Sequence, residues 1–322
     1  MSNSNNGKMK VFSGFSHPKL AEEIATYIGT DLGKVKLSKF SCGETYARIL
    51  DNIRGVEVFI IQTTTKNVND NIMELLIMID AARRASAKKI HAVIPHFPYS
   101  RQDKKSASRE PVSSRLVADL LEVTGVDRVI TMDLHADQIQ GFFKVPVDHM
   151  SALPLFDVYF KNKKLFGKNV VVVAPDTGRA KAAKKFADRL GSGTEIAIIH
   201  KHRDPNKHNK SETLHLIGDV KDKITILYDD IVDTGGSVIN GLEVIKKNKA
   251  KEVYLAATHA VFSGPAIERL KQADFTEIVV TDTVPLAKEK RWKNLKVISS
   301  APLLGEAIKR IHENTSISEL FD

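Results

Sequence analysis

The sequence has a single cysteine, Cys42, among its 322 residues. It can form no intramolecular disulfide, and a thiolate metal site has no support. Aromatic residues make up only 7% and do not interleave with the basic ones as a stacking surface would, so no specific nucleic-acid module is legible. No apolar run approaches the roughly 20 residues a membrane-spanning helix needs. The opening MSNSNNGKMK is polar and lacks the apolar stretch of a secretory leader. The expectation is a cytoplasmic protein with no membrane partner. Acidic residues are also outnumbered, 39 against 48 Lys and Arg, for a formal net charge of +9. A basic balance without a polymer-binding module points to small polyanionic ligands.

What is present is an alternation of strand and helix patterns over a length suited to about two domains. Apolar runs of strand length stand at 55–62, 88–95, 195–201, 223–228 and 251–259, while 127–136 reads as strand plus loop and 169–191 as strand, loop and helix. Helical patterns occupy 69–87, 111–125 and 238–250, besides the one that closes 169–191. Such alternation predicts an α/β protein with mainly parallel sheets and with sites at the carboxyl ends of the strands. AKKIHAVIPH (87–96) echoes AKEVYLAATH (250–259), which points to a tandem duplication.

The loop YDDIVDTGGS (228–237) sets Asp229, Asp230 and Asp233 at the end of a strand, then Gly235 and Gly236 at the start of a helix. Glycines and free amides at a helix N-terminus accept phosphate. Thr234 and Ser237 add hydroxyl donors, and the carboxylates accept hydrogen bonds from sugar hydroxyls. A phosphorylated sugar satisfies both halves of the loop. The first-half counterpart, TTTKNVND, has neither the acid pair nor the glycines.

Four other segments carry chemical residues. Asp176 lies in a second strand-end loop, VAPDTGRAKAA (173–183). His135 follows a strand in MDLHADQIQGFF (132–143). Arg101 and Gln102 lie in the proline-bounded basic loop 95–110, and Lys201 and Arg203 stand at the root of the polar segment 200–212. That last segment reads as a mobile basic loop able to neutralise charge on a transferring group. KFSCGETYARI (39–49) reads as a hairpin around a glycine turn.

In order, FSCGE, NDNIMEL, FPYSRQDKK, DLHADQIQGFF, PDTG, HKHR, YDDIVDTGGS and THAVFSGPA resemble the ribose-phosphate pyrophosphokinases, from about residue 9 to the C-terminus. The resemblance implies two tandem type I phosphoribosyltransferase-like domains, 8–151 on the ATP side and 152–305 on the sugar side. A C-terminal helix, 306–322, would pack back on the first domain. It implies Mg²⁺-dependent transfer of the β,γ-diphosphoryl group of ATP to O1 of ribose 5-phosphate. By position, Phe40, Cys42, Gly43, Glu44, Arg101 and Gln102 would bind ATP, and His135 and Asp176 Mg²⁺. Lys201 and Arg203 would be catalytic, and Arg203 would also join Asp229, Asp230, Asp233, Thr234, Gly235, Gly236 and Ser237 on ribose 5-phosphate. A homo-oligomer, a hexamer built from dimers, is implied, with ADP and phosphate as effectors.

Three positions depart from the family: Cys42 in place of Asp or Asn, Arg179 in place of glycine, and Ala182 in place of a common arginine. The expectation at Arg179 is either a disfavoured backbone or an altered loop, with its guanidinium replacing the charge missing at Ala182. These departures keep a second reading open, a non-catalytic regulatory paralogue in a mixed oligomer. A phosphoribosyltransferase that consumes the product would leave segments 40–44 and 95–105 without a role.

Overall fold

The computed structural model describes residues 8–202 and 213–320. The chain divides into two compact units. One takes residues 1–151, 283–285 and 299–322, and the other 152–282 and 286–298.

The first unit begins with β1 (Met9–Ser13), α1 (Pro18–Ile28) and a hairpin of β2 (Val35–Lys39) and β3 (Thr45–Ile49). It continues with β4 (Glu57–Ile61), α2 (Val68–Arg84), β5 (Lys89–Ile94), α3 (Ser113–Thr124), β6 (Arg128–Met132) and β7 (Val147–Met150). The sheet runs β1-β4-β5-β6-β7, all parallel. Its core joins Phe12, Val58 and Ile60 to Met78, Ile79 and Leu121 of the helices.

The second unit has α4 (Leu153–Asn162), β8 (Val170–Ala174), α5 (Ala180–Leu190), β9 (Glu195–His202), β10 (Thr213–Ile217) and β11 (Ile224–Val232). Then come α6 (Gly236–Lys247), β12 (Glu252–Ala260), α7 (Ala266–Gln272), β13 (Glu277–Thr281) and β14 (Leu295–Ile298). Its sheet runs β10-β9-β8-β11-β12-β13-β14, parallel except for β10 on β9. All five residues of β8, VVVVA, are buried. A parallel strand covered on both faces needs such a continuous apolar run, which is why it is legible.

The five parallel strands of the first sheet recur in the second as β8-β11-β12-β13-β14. The echoing segments occupy the same place in each: His91 of β5 pairs with Arg128, and Tyr254 of β12 with Glu277. The helix after each sheet packs in the other unit. α4 follows β7 but lies on α5, while α8 (Ala301–His312) follows β14 but lies on α1. The 305/306 boundary read from sequence falls inside α8, because the chain rejoins the first unit at Ser299. A Cβ at Gly305 would come within 2.6 Å of the Tyr27 ring, so glycine permits the close approach of α8 to α1.

Each exchanged helix is tied to a carboxylate at the start of a strand. His312 at the end of α8 meets Glu57 Oε2 at 2.6 Å, and His91, stacked on Phe59, meets Oε1 at 2.7 Å. The Tyr159 hydroxyl of α4 donates to Glu277 Oε1 at 2.8 Å, and Nζ of Lys163, just past the helix end, donates to Oε2 at 2.9 Å.

Candidate active site

β11 lies between β8 and β12, inside the second sheet. It runs to Val232, so Asp229 and Asp230 belong to the strand itself and not to the loop beyond it; Asp229 pairs with Ala257. The strand is longer than its apolar pattern because the polar acids keep the extended backbone and the ladder. Asp230 is 3% exposed.

The turn follows at once. Gly235 is the N-cap, at φ 78° and ψ −5°, a left-handed conformation that favours glycine. α6 starts at Gly236 with no side chain capping it, so its first amides face away from any internal acceptor side chain. The loop is held by Ser263 N donating to Asp233 O at 2.9 Å and by Arg269 Nη1 donating to Thr234 O at 3.2 Å. Thr234 and Ser237 are exposed.

The neighbouring loop leaves β8. Asp176 caps a short 3₁₀ turn, Thr177–Arg179, by accepting from Arg179 N at 3.1 Å. Arg179 itself has φ −93° and ψ −2°, an ordinary right-handed conformation. The expected dilemma is thus resolved by loop shape: the turn closes as a helix start, where a β-carbon costs nothing. Its guanidinium points along the sheet to the acids. Nη2 is ion-paired with Asp230 Oδ2, and Nε lies 3.7 Å from Asp229 Oδ1. The side chains of Arg179, Asp229 and Asp230 are 16%, 14% and 4% exposed. Burial, and then the adjacent charge of Asp230, push the Asp229 carboxyl well above the usual carboxylate range; Arg179 acts in the opposite direction.

Lys201 is near the end of β9, while Arg203 lies outside the described residues, as does the basic segment after it. In the first unit, Phe40, Cys42, Gly43 and Glu44 form the exposed tip between β2 and β3, where Phe40 N donates to Glu44 O at 2.9 Å. Gly43 has φ 95°. Arg101 and Gln102 are exposed, and their loop is fixed by Ser113 Oγ donating to Gln102 Oε1 at 2.6 Å and Gln138 Nε2 donating to the buried Asp103 at 2.6 Å. His135 is exposed in the first unit and Asp176 half-buried in the second. Among the described residues no three His, Cys, Asp or Glu side chains gather to hold a metal.

Sequence reasoning did not find the Arg179–acid contact. Fifty residues separate its partners in sequence, and only the adjacency of β8 and β11 brings them together. The one signal was the departure from glycine at 179.

Parallel sheets with two acids at the end of a central strand and glycines at the helix start beyond it define an α/β protein with its candidate site at the carboxyl end of the second sheet. Residues 9–125 match the N-terminal domain of ribose phosphate pyrophosphokinase, and residues 205–322 the phosphoribosyl synthetase-associated domain. The chain is 51% identical over 322 residues to the ribose-phosphate pyrophosphokinase of Fusobacterium nucleatum, covering 100% of each. It is 49% identical over 318 residues to that of Clostridium acetobutylicum, covering 98% of each. The crystal structure of phosphoribosylpyrophosphate synthetase from Mycobacterium smegmatis superposes with a TM-score of 0.88 at 42% identity, over 95% of this chain and 99% of that one. The chain therefore belongs to the ribose-phosphate pyrophosphokinase family, enzymes that are transferases of nucleotide biosynthesis.

Proposed function

We propose that the enzyme transfers the β,γ-diphosphoryl group of ATP to O1 of ribose 5-phosphate, giving phosphoribosyl pyrophosphate and AMP. The observation that carries this reading is the β11–α6 junction, where two acids near the end of the strand are followed within a few residues by an uncapped helix start. In this reading the amides of 235–237 and the hydroxyls of Thr234 and Ser237 take the 5-phosphate, with Asp233 shaping the turn. Asp229 and Asp230 accept from the ribose hydroxyls. O1 attacks the β-phosphorus in line, the bond to the α–β bridging oxygen breaks, and AMP leaves with that oxygen. Most of the protein's contribution is positioning and charge neutralisation.

Lys201 and Arg203 are assigned to the charge that develops on the transferring group, and Phe40, Cys42, Gly43, Glu44, Arg101 and Gln102 to ATP. Asp176 and His135 are each assigned to Mg²⁺. The carboxylate of Asp176 fits, since Mg²⁺ keeps several waters and takes one or two carboxylates plus substrate phosphates in place of a protein cage; held there, it would neutralise phosphate charge. The reading includes a cytoplasmic location and control by ADP and phosphate. No described helix is long and apolar enough to cross a membrane. The reading includes a homo-oligomer, a hexamer built from dimers; an apolar row on α3 supports self-association, with Leu116, Leu120 and Val123 58%, 38% and 76% exposed.

One observation favours the regulatory-paralogue reading: Arg179 already occupies the acids assigned to the sugar. Product analysis separates the two. AMP should form from ATP only when ribose 5-phosphate and Mg²⁺ are both present. No turnover would leave the regulatory reading, and ADP with free phosphate would mean γ-transfer or hydrolysis instead.

A further inference from the structure

Arg179 belongs to one loop and is bonded to the other. Its backbone closes the 3₁₀ turn capped by Asp176, between β8 and α5. Its guanidinium ends on Asp229 and Asp230 of β11. All three side chains are largely shielded from water, so solvent cannot readily replace a lost partner. Breaking such a pair leaves an uncompensated charge. The guanidinium is a planar fork that suits carboxylate and phosphate equally well.

Consider each ligand alone, with the sugar on β11, as the proposed function has it, and the nucleotide's phosphates brought to the β8 loop by the Mg²⁺ assigned to Asp176. Ribose hydroxyls donating to Asp229 and Asp230 take acceptor positions that the guanidinium uses, and so weaken its ion pair. Diphosphate drawing the guanidinium towards its own loop takes from the two adjacent acids the cation beside them. Each ligand by itself disturbs the ion pair. When both are bound, the hydroxyls donate to the acids and the phosphate takes the arginine, so each ligand offsets part of what the other disturbs.

We propose that Arg179 is a positioning residue that couples the two substrate sites, serving as counter-ion of the sugar acids in the empty enzyme and of the diphosphate in the ternary complex. The inference rests on the proposed function and adds to it a cooperativity that this chain's own arginine creates. Coupling of this kind is reciprocal: nucleotide tightens sugar binding by the same factor as sugar tightens nucleotide binding. It also explains why an arginine here need not replace the charge absent at Ala182, because its resting partners lie on β11.

The test is calorimetric binding of ribose 5-phosphate with and without the Mg²⁺ complex of α,β-methylene-ATP, whose methylene bridge blocks transfer. In the wild type the analogue should tighten ribose 5-phosphate binding by a factor in the range of about 5–150. Arg179→Met should bring that factor close to one while both ligands still bind singly. Arg179→Lys keeps a charge but loses the fork; it should fold even if the methionine variant does not, and should show a clearly reduced factor. A wild-type factor of one overturns the proposal without any variant. An unchanged factor in Arg179→Lys, or in Arg179→Met where it folds, overturns it as well. These failures differ from failure of the proposed function, which would appear as no binding of ribose 5-phosphate to the wild type at all.

Discussion

Gly235 and Gly236 are neighbours with different duties. Gly235 needs its left-handed backbone, and a Cβ there would find room, with Ala266 Cα 3.7 Å away. The cost of Gly235→Ala is therefore conformational, about 1–2 kcal/mol, and should appear as a lower denaturation midpoint. Gly236 is already helical, and a Cβ there would come no closer than 3.9 Å to any neighbour. Gly236→Ala should leave stability unchanged or slightly raised, yet weaken ribose 5-phosphate binding by crowding the approach to the amides, with ATP binding spared. Equal loss of both ligands in calorimetry would remove this loop as a dedicated sugar-phosphate site. The two glycines look alike in sequence because the backbone angle that separates them is set by the strand–helix junction. Which of the two expectations holds at Arg179 could not be read for the same reason: whether a loop position needs positive φ depends on the loop's closure, and Asp176 closes this one as a helical turn.

At the scale of elements, the helices that cross between units in sequence are the ones held by charged groups. Burial favours the neutral form of Glu57, but the hydrogen bonds from His91 and His312, with their charges, outweigh it and hold the carboxyl down at about 2, against an ordinary 4.5. A carboxyl lowered on folding stabilises fully above its unfolded value and loses that contribution as pH falls through its folded one. Docking of α8 should therefore weaken between about pH 4.5 and 2. Glu57→Gln should start less stable at neutral pH and show a flatter stability profile across that window, measured by denaturant melts at stepped pH. Parallel profiles would mean that Glu57 is not the group that titrates. Strands with continuous apolar runs, such as β8, were visible in sequence. β1, β7 and β14 are only four or five residues long and gave no separate pattern. The destination of α8 could not be read, because the Glu57–His312 contact spans 255 positions.

Across the whole molecule, one sheet order serves two units that have diverged at the same place. After β11 the loop is left open by Gly235 and an uncapped helix. After β4 the corresponding loop is filled from within. Gln62 Nε2 donates to Glu74 Oε1 at 2.8 Å, Thr65 N and Oγ1 donate to Asn71 Oδ1, and Glu74 also accepts from Phe15 N at 2.7 Å. A Cβ at Gly14 would sit 2.3 Å from Gln62 Oε1, so the space a ligand would use is already packed. The acids and glycines missing from TTTKNVND signalled the divergence; the internal network that replaces them needed coordinates, because its donors and acceptors come from three separate segments.

With that loop closed, the first unit is left to offer surfaces, and α3 offers one. Leu116, Leu120 and Val123 follow the i, i+4, i+7 spacing of a single helix face and stay exposed, while Val117, Ala118 and Leu121 turn into the core. A row this apolar on one face is suited to burial. A second copy of the same row is the simplest cover, since a two-fold axis sets identical patches against each other. Val123→Asp and Leu116→Asp should therefore shift the enzyme to a smaller species in sedimentation velocity. Each change lies outside the core, so thermal stability of the separated species should move by no more than about 0.5 kcal/mol. If the wild type sediments as a monomer, the homo-oligomer is wrong. If it is an oligomer that both variants leave intact, the subunits meet elsewhere and α3 is not the contact.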